Sequence, residues 1–458
     1  MKNDEYAARR IEHCIFPLYE NHHFEFLVFL PSNLKPKKMK KLFLLALVFI
    51  FVETMSTSSL QAQDLAYYKQ VLKELTSAKY QGRGYYYGGA NKAGKYLQKE
   101  FAKAGVDNVE CQSFTININT FPSKMEMSVD GEKLTPGIDF SMREYSPGVR
   151  GTYKLYHVDT NNYDAEKMFA DLAKPEYKDC FVVCDFWFSY RHYQDFQKIW
   201  GGTKCANAGM IQLWEPHLKF YKAYGERVTG KPVIWASNFP QGAESITVNI
   251  ENKFLKDYKL FNVIAKVEGR RHDSCFVFTA HYDHLGNLGK KVYYAGANDN
   301  ASGTASIVTL AAYYAQNRPE FDMYFIAFSG EDAGLRGSEW YVEHPTVPLD
   351  QIKFLINIDM IGDNNPVQYV ETNSDSGFAL FDKINGEKSY FTGLNRGELA
   401  GNSDHYPFTQ KGVPSILFEN ESGDAFPYYH TPLDNYENAI FVSYEPIFKL
   451  VRDFVERW

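Results

Sequence analysis

The chain has 458 residues, 45% of them hydrophobic and 23% charged, with a net charge of −7. That is enough apolar material for a sizeable core and, by length, for two or three domains. The acidic balance excludes a basic field of the kind nucleic acid requires, and no zinc-finger or RNA-binding signature is present.

Reading from the amino end, Lys37, Lys38, Lys40 and Lys41 precede an apolar run over residues 42–52, followed by a polar stretch and Ala62. A basic start, a short apolar stretch and a small residue describe a secretory signal. The run is shorter than the ~20 apolar residues that span a bilayer, and no Cys follows it to carry a lipid anchor. Met39 stands directly before Lys40 as a natural start. Residues 1–63 are therefore expected to be an upstream extension plus signal peptide. The remainder is expected to be exported, periplasmic or extracellular, without stable membrane insertion. Export permits disulfides. Cys111, Cys180, Cys184, Cys205 and Cys275 are odd in number and not spaced as a zinc module, so most are read as buried apolar fillers.

Residues 64–79 have helical spacing, with Leu65, Tyr68, Val71, Leu72 and Leu75 on one face and Asp64 as N-cap. A glycine-rich loop at 81–89 lacks the Lys-Ser/Thr of a phosphate loop and reads as a turn. A second helix follows at 91–104. Residues 120–258 differ in character: strand-like runs at 180–186, 210–214 and 232–236 lie between polar and aromatic stretches, with no cluster of metal-type ligands. They are expected to form an inserted smaller α/β domain, leaving 64–119 and 259–458 as the main domain. From residue 262 strands and helices alternate. Strands are predicted at 262–267, 275–280, 323–328, 352–358 and 414–418. Helices are predicted at 302–316, 378–384 and 444–458, with Ser302 available as a cap. Nearly continuous apolar strands alternating with helices imply an α/β fold, a mixed, mostly parallel central sheet between helices. Sites in such sheets collect beyond the carboxyl ends of the strands.

Metal-type ligands recur at those ends. His281 and Asp283 are two apart, so on extended backbone both face the same way, and the carboxylate can accept from the imidazole. Asp299 lies in an Asn-Asp-Asn run before a helix; with Ser302 free to cap, its two oxygens can bridge two cations. Glu331 and Asp332 are adjacent acids. Beside dications their repulsion becomes attraction, and one can ligate while the other handles protons. Asp359 is a charge wedged into an apolar run, expensive unless paired or metal-bound. His430 sits in an irregular aromatic loop. Two histidines and four of these five carboxylates, brought from separate segments, suit a pair of divalent metals and a metallohydrolase.

Together, and in this order, these segments resemble the M28 family of zinc aminopeptidases of the secreted bacterial type. The resemblance covers roughly residues 281–430. It implies a phosphorylase/hydrolase-like zinc peptidase fold, two Zn2+ ions, and a protease-associated-like character for the insertion. One zinc would be held by His281, Asp299 and Asp359, and the other by Asp299, Asp332 and His430. Asp283 would orient His281, Glu331 would be the general base, and Tyr429 would donate to the oxyanion. Asp404, His405 and Phe408 match a segment near the substrate. The implied activity is removal of residues from peptides with a free amino terminus by a metal-activated water. One departure is Asp332, where the family usually carries a longer Glu. Three alternatives stand beside this reading. A glutaminyl cyclase shares the fold, but the Asn-Asp-Asn run at 298–300 favours the peptidase. A non-catalytic relative is disfavoured by the complete ligand set. A carboxypeptidase or dipeptidase would need an Arg clamp, for which Arg336 and Arg396 are the options.

Overall fold

The computed structural model describes residues 64–458 except 107, 202–204, 215–217, 219–222, 224 and 420–425. The expected extension and signal peptide lie outside the described residues. Among the described residues no helix is long and apolar enough to cross a membrane.

The main sheet has eight strands: β1 Asn108–Thr120, β2 Lys253–Val267, β3 Arg271–His281, β4 Phe321–Phe328, β5 Ile352–Asp359, β6 Val367–Thr372, β7 Gly393–Arg396 and β8 Ser415–Glu419, in the spatial order β1-β2-β4-β3-β5-β8-β6-β7. Its centre is parallel: β4 with β3, β3 with β5, and β5 with β8. Antiparallel pairs flank it, β1 with β2, β2 with β4, and β8 with β6.

Both faces of the central strands are buried, and the two-residue period of a strand splits them between two cores. Phe276 and Phe278 belong to one, Cys275 and Val277 to the other. The first face is covered by helices Leu65–Leu75, Gly89–Lys103, Gly303–Gln316, Asp375–Lys388 and Tyr444–Arg457, through residues such as Val71, Phe101, Leu310, Phe381 and Phe454. Phe381 and Phe454 stack with centroids 3.8 Å apart. The opposite face is covered by the short helices Arg336–Glu343 and His405–Gln410, through Tyr341 and Phe408. Asp64 caps the first helix as expected, accepting from the N–H groups of Ala66 and Tyr67. The capping of Gly303–Gln316 differs from expectation. Ser302 Oγ donates instead to the Asn298 carbonyl at 2.7 Å, and Asn300 Oδ1 accepts the Gly303 N–H at 2.8 Å.

After β1 the chain leaves the main sheet and builds a second eight-stranded sheet. Its strand order is Glu132–Leu134, Met125–Val129, Ser245–Ile250, Val149–His157, Phe181–Asp185, Gly209–Leu213, Val233–Ala236 and Phe140–Met142. Helices Ala165–Leu172 and Tyr193–Trp200 pack on it through Met168, Leu172, Phe196 and Ile199. The return to the main sheet comes earlier than residue 259. Lys253 already pairs with Thr120, and Tyr258 with Ile116. The residues of β2 up to Lys259 are exposed or only half-buried, so this ribbon lacks the apolar pattern that marks a core strand. Among the described cysteines, Cys180, Cys184 and Cys275 are buried thiols; Cys111 is exposed and Cys205 half-buried, and all five are free.

Candidate metal centre and catalytic cleft

The carboxyl ends of the central parallel strands converge on one cavity of about 260 Å³. His281 ends β3, and Asp359 ends β5. Glu331 and Asp332 follow β4. The segments carrying Asp299 and His430 close over them, so side chains up to 149 positions apart in sequence share one wall. Three wall residues hold left-handed backbone, Leu335 at φ 60°, Met360 at 51° and His430 at 54°. Such conformations cluster where surrounding structure fixes a site.

Asp299 lies at the centre. Its Oδ1 is 3.2 Å from His281 Nε2, which is also 3.3 Å from Asp359 Oδ1. Its Oδ2 is 2.9 Å from His430 Nε2, which is 3.7 Å from Asp332 Oδ1. One carboxylate thus presents its two oxygens to two separate histidine–carboxylate groups. Ligands at 2.0–2.2 Å from a tetrahedral zinc stand roughly 3.3 Å from one another; His281, Asp299 and Asp359 have that spacing, and Asp299 and Asp332 lie close enough to share a cation with His284, with His430 2.9 Å from Asp299. Their burial agrees: His281, Asp299, Asp332, Asp359 and His430 are each at most 6% exposed. Asp359 Oδ2 accepts from Ser403 Oγ at 2.6 Å, its Oδ1 has the His281 contact, and among the described residues His430 Nδ1 is buried without a hydrogen-bond partner. Crowding several buried carboxylates together is costly, and a divalent cation between them would offset that cost.

The backbone of the Asp299 loop is gripped from behind. Asp434 accepts the N–H groups of Asn298 and Asp299 at 2.7 and 3.0 Å. Arg83 is fully buried and donates to the carbonyls of Tyr282, Leu75, Ala295, Gly296 and Asp299. The glycine-rich turn makes this reach possible. A Cβ at Gly84 would lie 2.3 Å from Gly286 Cα, and Gly82 at φ +64° abuts the carbonyls of Tyr294 and Gly286. Burial alone would raise the Asp299 pKa, but the imidazoles of His284, His281 and His430 outweigh it and hold the carboxyl well below its usual range. Glu331 goes the other way. Burial first, then the charges of Asp332, Asp359 and Asp404, push its pKa well above the ordinary value against the pull of His281.

Asp283 does not hold His281 through its carboxylate: Asp283 Oδ1 is 3.9 Å from His281 Nδ1, and the nearer acceptor is the Asp283 main-chain oxygen at 3.3 Å. The carboxylate instead accepts from Tyr85 OH at 2.8 Å and from the Glu331 N–H at 3.2 Å, fixing the backbone of the acidic pair. Tyr429 lines the cavity and stacks on His430 at 3.8 Å. The expectation for Asp404, His405 and Phe408 is corrected. All three are fully buried beneath the cavity, Phe408 packs against Phe328 and Tyr341, and Gly401, Asn402 and Glu419 form the wall there. The short helix His405–Gln410 turns Phe408 inward to cover the sheet, and His405 Nε2 lies 3.7 Å from Glu371 Oε2. Arg336 lines the cavity but is paired with Glu226 of the insertion and with Glu339, while Arg396 pairs with Asp375 away from the wall. Neither is positioned as a carboxylate clamp.

Four residues of the site have no counterpart in the sequence reading. Arg83 and Asp434 act on backbone groups, which leave no pattern. Glu419 sits in register with Asp359 across β5 and β8 and accepts from Asn402 at 2.9 Å. His284, the fourth residue of a His-x-Asp-His run, is fully buried with Nδ1 2.9 Å from Asp332 Oδ2; its spacing from His281 was a usable signal.

Residues 262–455 match the model of peptidase family M28. Aminopeptidase YwaD of Bacillus subtilis is 32% identical over 184 residues, 38% of this chain and 39% of that protein. Leupeptin-inactivating enzyme 1 of Streptomyces exfoliatus is 32% identical over 34% of each. The chain thus spans under two fifths of the length of these curated relatives. Among solved structures, BSAP, a zinc aminopeptidase from Bacillus subtilis, superposes with a TM-score of 0.65 at 20% identity over 86% of this chain and 94% of that one. A peptidase M28 precursor from Shewanella amazonensis gives 0.66 at 16% identity over 89% and 95%. The fold is shared across both large sheets, and the matched segment contains every residue of the histidine–carboxylate groups. The likeness to peptidase family M28 thus falls on residues 262–455, the segment that carries the histidine–carboxylate groups.

Proposed function

We propose that the protein is a zinc-dependent aminopeptidase that hydrolyses the first bond of peptides with a free amino terminus. The observation that carries this reading is the division of Asp299, one oxygen toward His281 and Asp359 and the other toward His430 and Asp332, in a cavity that also contains Glu331 and Tyr429. The family match and the aminopeptidase relative support the reaction class. Two Zn2+ ions fit the donor set, His281, Asp299 and Asp359 holding one and Asp299, Asp332 and His430 the other. When bound, such ions supply Lewis acidity, lowering the pKa of water and polarising a carbonyl. Glu331 accepts the proton of the attacking water and returns it to the leaving amine. Its raised proton affinity suits that task. Tyr429 donates its hydroxyl to the developing oxyanion. The acidic cavity wall suits the substrate's α-ammonium group. We further propose that the inserted sheet is a protease-associated-like domain and that the protein is exported.

The test is zinc content per chain, measured with hydrolysis of aminoacyl chromogenic substrates and of a peptide beginning with Gln. The expected result is release of the first residue, abolished by chelation, restored by zinc and blocked by amino-terminal acetylation. Cyclisation of the Gln peptide without hydrolysis, or activity indifferent to zinc, refutes the proposal.

A further inference from the structure

We propose that His284 is a positioning residue for the metal ligand Asp332: it engages one carboxylate oxygen and so aims the other at the cation shared with Asp299 and His430. The inference rests on the two-zinc reading of the site. Asp332 is the shorter of the two acids that follow β4, and its Oδ1 stands 3.7 Å from His430 Nε2, against 2.9 Å for Asp299 Oδ2. A short carboxylate set back from its partners can rotate away unless something holds it. His284 Nδ1 lies 2.9 Å from Asp332 Oδ2 and 3.8 Å from Asp299 Oδ2, and it is fully buried.

Three observations support this contact. Among the described residues His284 Nε2 is buried with no hydrogen-bond partner, so the side chain's polar contacts are those of Nδ1, with Asp332 and Asp299. The main chain anchors it, the His284 N–H donating to the Arg83 carbonyl at 3.2 Å. Space is reserved for it as well: a Cβ at Gly296, which holds φ +59°, would come within 2.5 Å of His284 Cδ2. Ligating groups are commonly fixed by a hydrogen-bonded neighbour, and removing that neighbour typically costs 10–100-fold in metal affinity. Here the usual pairing is inverted, with a histidine steadying a carboxylate.

The experiment uses the full chain as wild type, His284→Asn, His284→Ala and the double variant His284→Ala/Asp332→Glu, dialysed against buffered free zinc. Zinc per chain is read by mass spectrometry and folding by thermal melts. Asn places an amide N–H near the position of Nδ1 and keeps the donor. The expected result is two ions in the wild type and in His284→Asn. In His284→Ala the affinity for the second ion falls roughly 10–100-fold, and the double variant regains it because the longer Glu side chain reaches the ion unaided. His284→Ala binding the second ion as tightly as wild type overturns the proposal. So does loss in His284→Asn equal to that in His284→Ala, which would make the ring itself a ligand. Failure of the double variant to recover also overturns it. A wild type that binds no zinc refutes the proposed function instead, so the two failures are distinguishable.

Discussion

Replacing Glu331 by Gln keeps the shape of the side chain and removes its ability to accept a proton. Its Oε2 is 3.9 Å from His281 Nε2, whereas Asp299 and Asp359 approach the same atom to 3.2 and 3.3 Å. Zinc content is therefore expected to be unchanged. Loss of a positioned general base lowers kcat by about 10²–10⁴-fold, equivalent to about 2.7–5.4 kcal/mol of barrier, with KM little altered. A second effect has the opposite sign. Burial and the charges of Asp332, Asp359 and Asp404 hold the folded pKa of Glu331 above its unfolded value, which is about 4.3. The protonated form favours the fold below that pH, and this contribution is lost as pH rises toward the folded value. In chelated protein at neutral pH the wild-type carboxylate opposes folding and the neutral amide does not. Glu331→Gln is thus expected to melt higher than wild type when metal-free, by a margin that widens as pH rises from about 4.3. Steady-state kinetics with metal analysis, and melts of chelated protein across pH, check both halves. Turnover within tenfold of wild type at full zinc content refutes the base role, and a lower metal-free melting temperature refutes the electrostatic argument.

Arg83→Lys replaces a five-donor fork with a compact ammonium of three donors. At least two of the carbonyls now held lose their partner, at about 1–3 kcal/mol each, so the denaturant midpoint should fall and zinc affinity weaken as the Asp299 loop loosens; a wild-type midpoint with wild-type zinc binding removes Arg83 from this role. Asp322 accepts from the Gly269 N–H at 2.8 Å, His272 Nδ1 at 2.8 Å and Lys266 Nζ at 3.0 Å. Burial alone would raise its pKa, but these partners outweigh it and lower it. Its contribution is therefore fully present above the unfolded value of about 3.9 and is lost as pH falls through the folded one. Asp322→Asn should cost about 1–2 kcal/mol at pH 6–8, and the difference from wild type should shrink below about pH 3.9. A difference independent of pH in urea titrations would count against the ionic account.

The sheet and the proposed metal ligands were legible in the sequence for one reason. The central strands are buried on both faces, so they read as apolar runs, and the ligand that follows each run interrupts it with charge. His281, Asp332 and Asp359 are visible in that way, and Asp299 and His430 through the loops that carry them. Chain order and residue type were sufficient to collect these side chains as one set. Other features had no such signature. The start of β2, up to Lys259, is exposed or only half-buried, so it lacked a core strand's apolar pattern. Phe408 shows the converse limit: an aromatic residue near the ligands covers the sheet instead of meeting substrate, because the turn of a short helix directs it inward. His284, Arg83 and Asp434 do their work mainly through buried hydrogen bonds to distant groups, such as Asp332, Asp299 and Asn298, which are 48, 216 and 136 positions away in the chain. Such contacts depend on where the backbone passes, not on local composition. The sequence alone determined which groups were available to hold a metal; the tertiary structure decided which of them share a cavity and which neighbours hold them in place, because only packing brings a donor to within 3 Å of a distant acceptor.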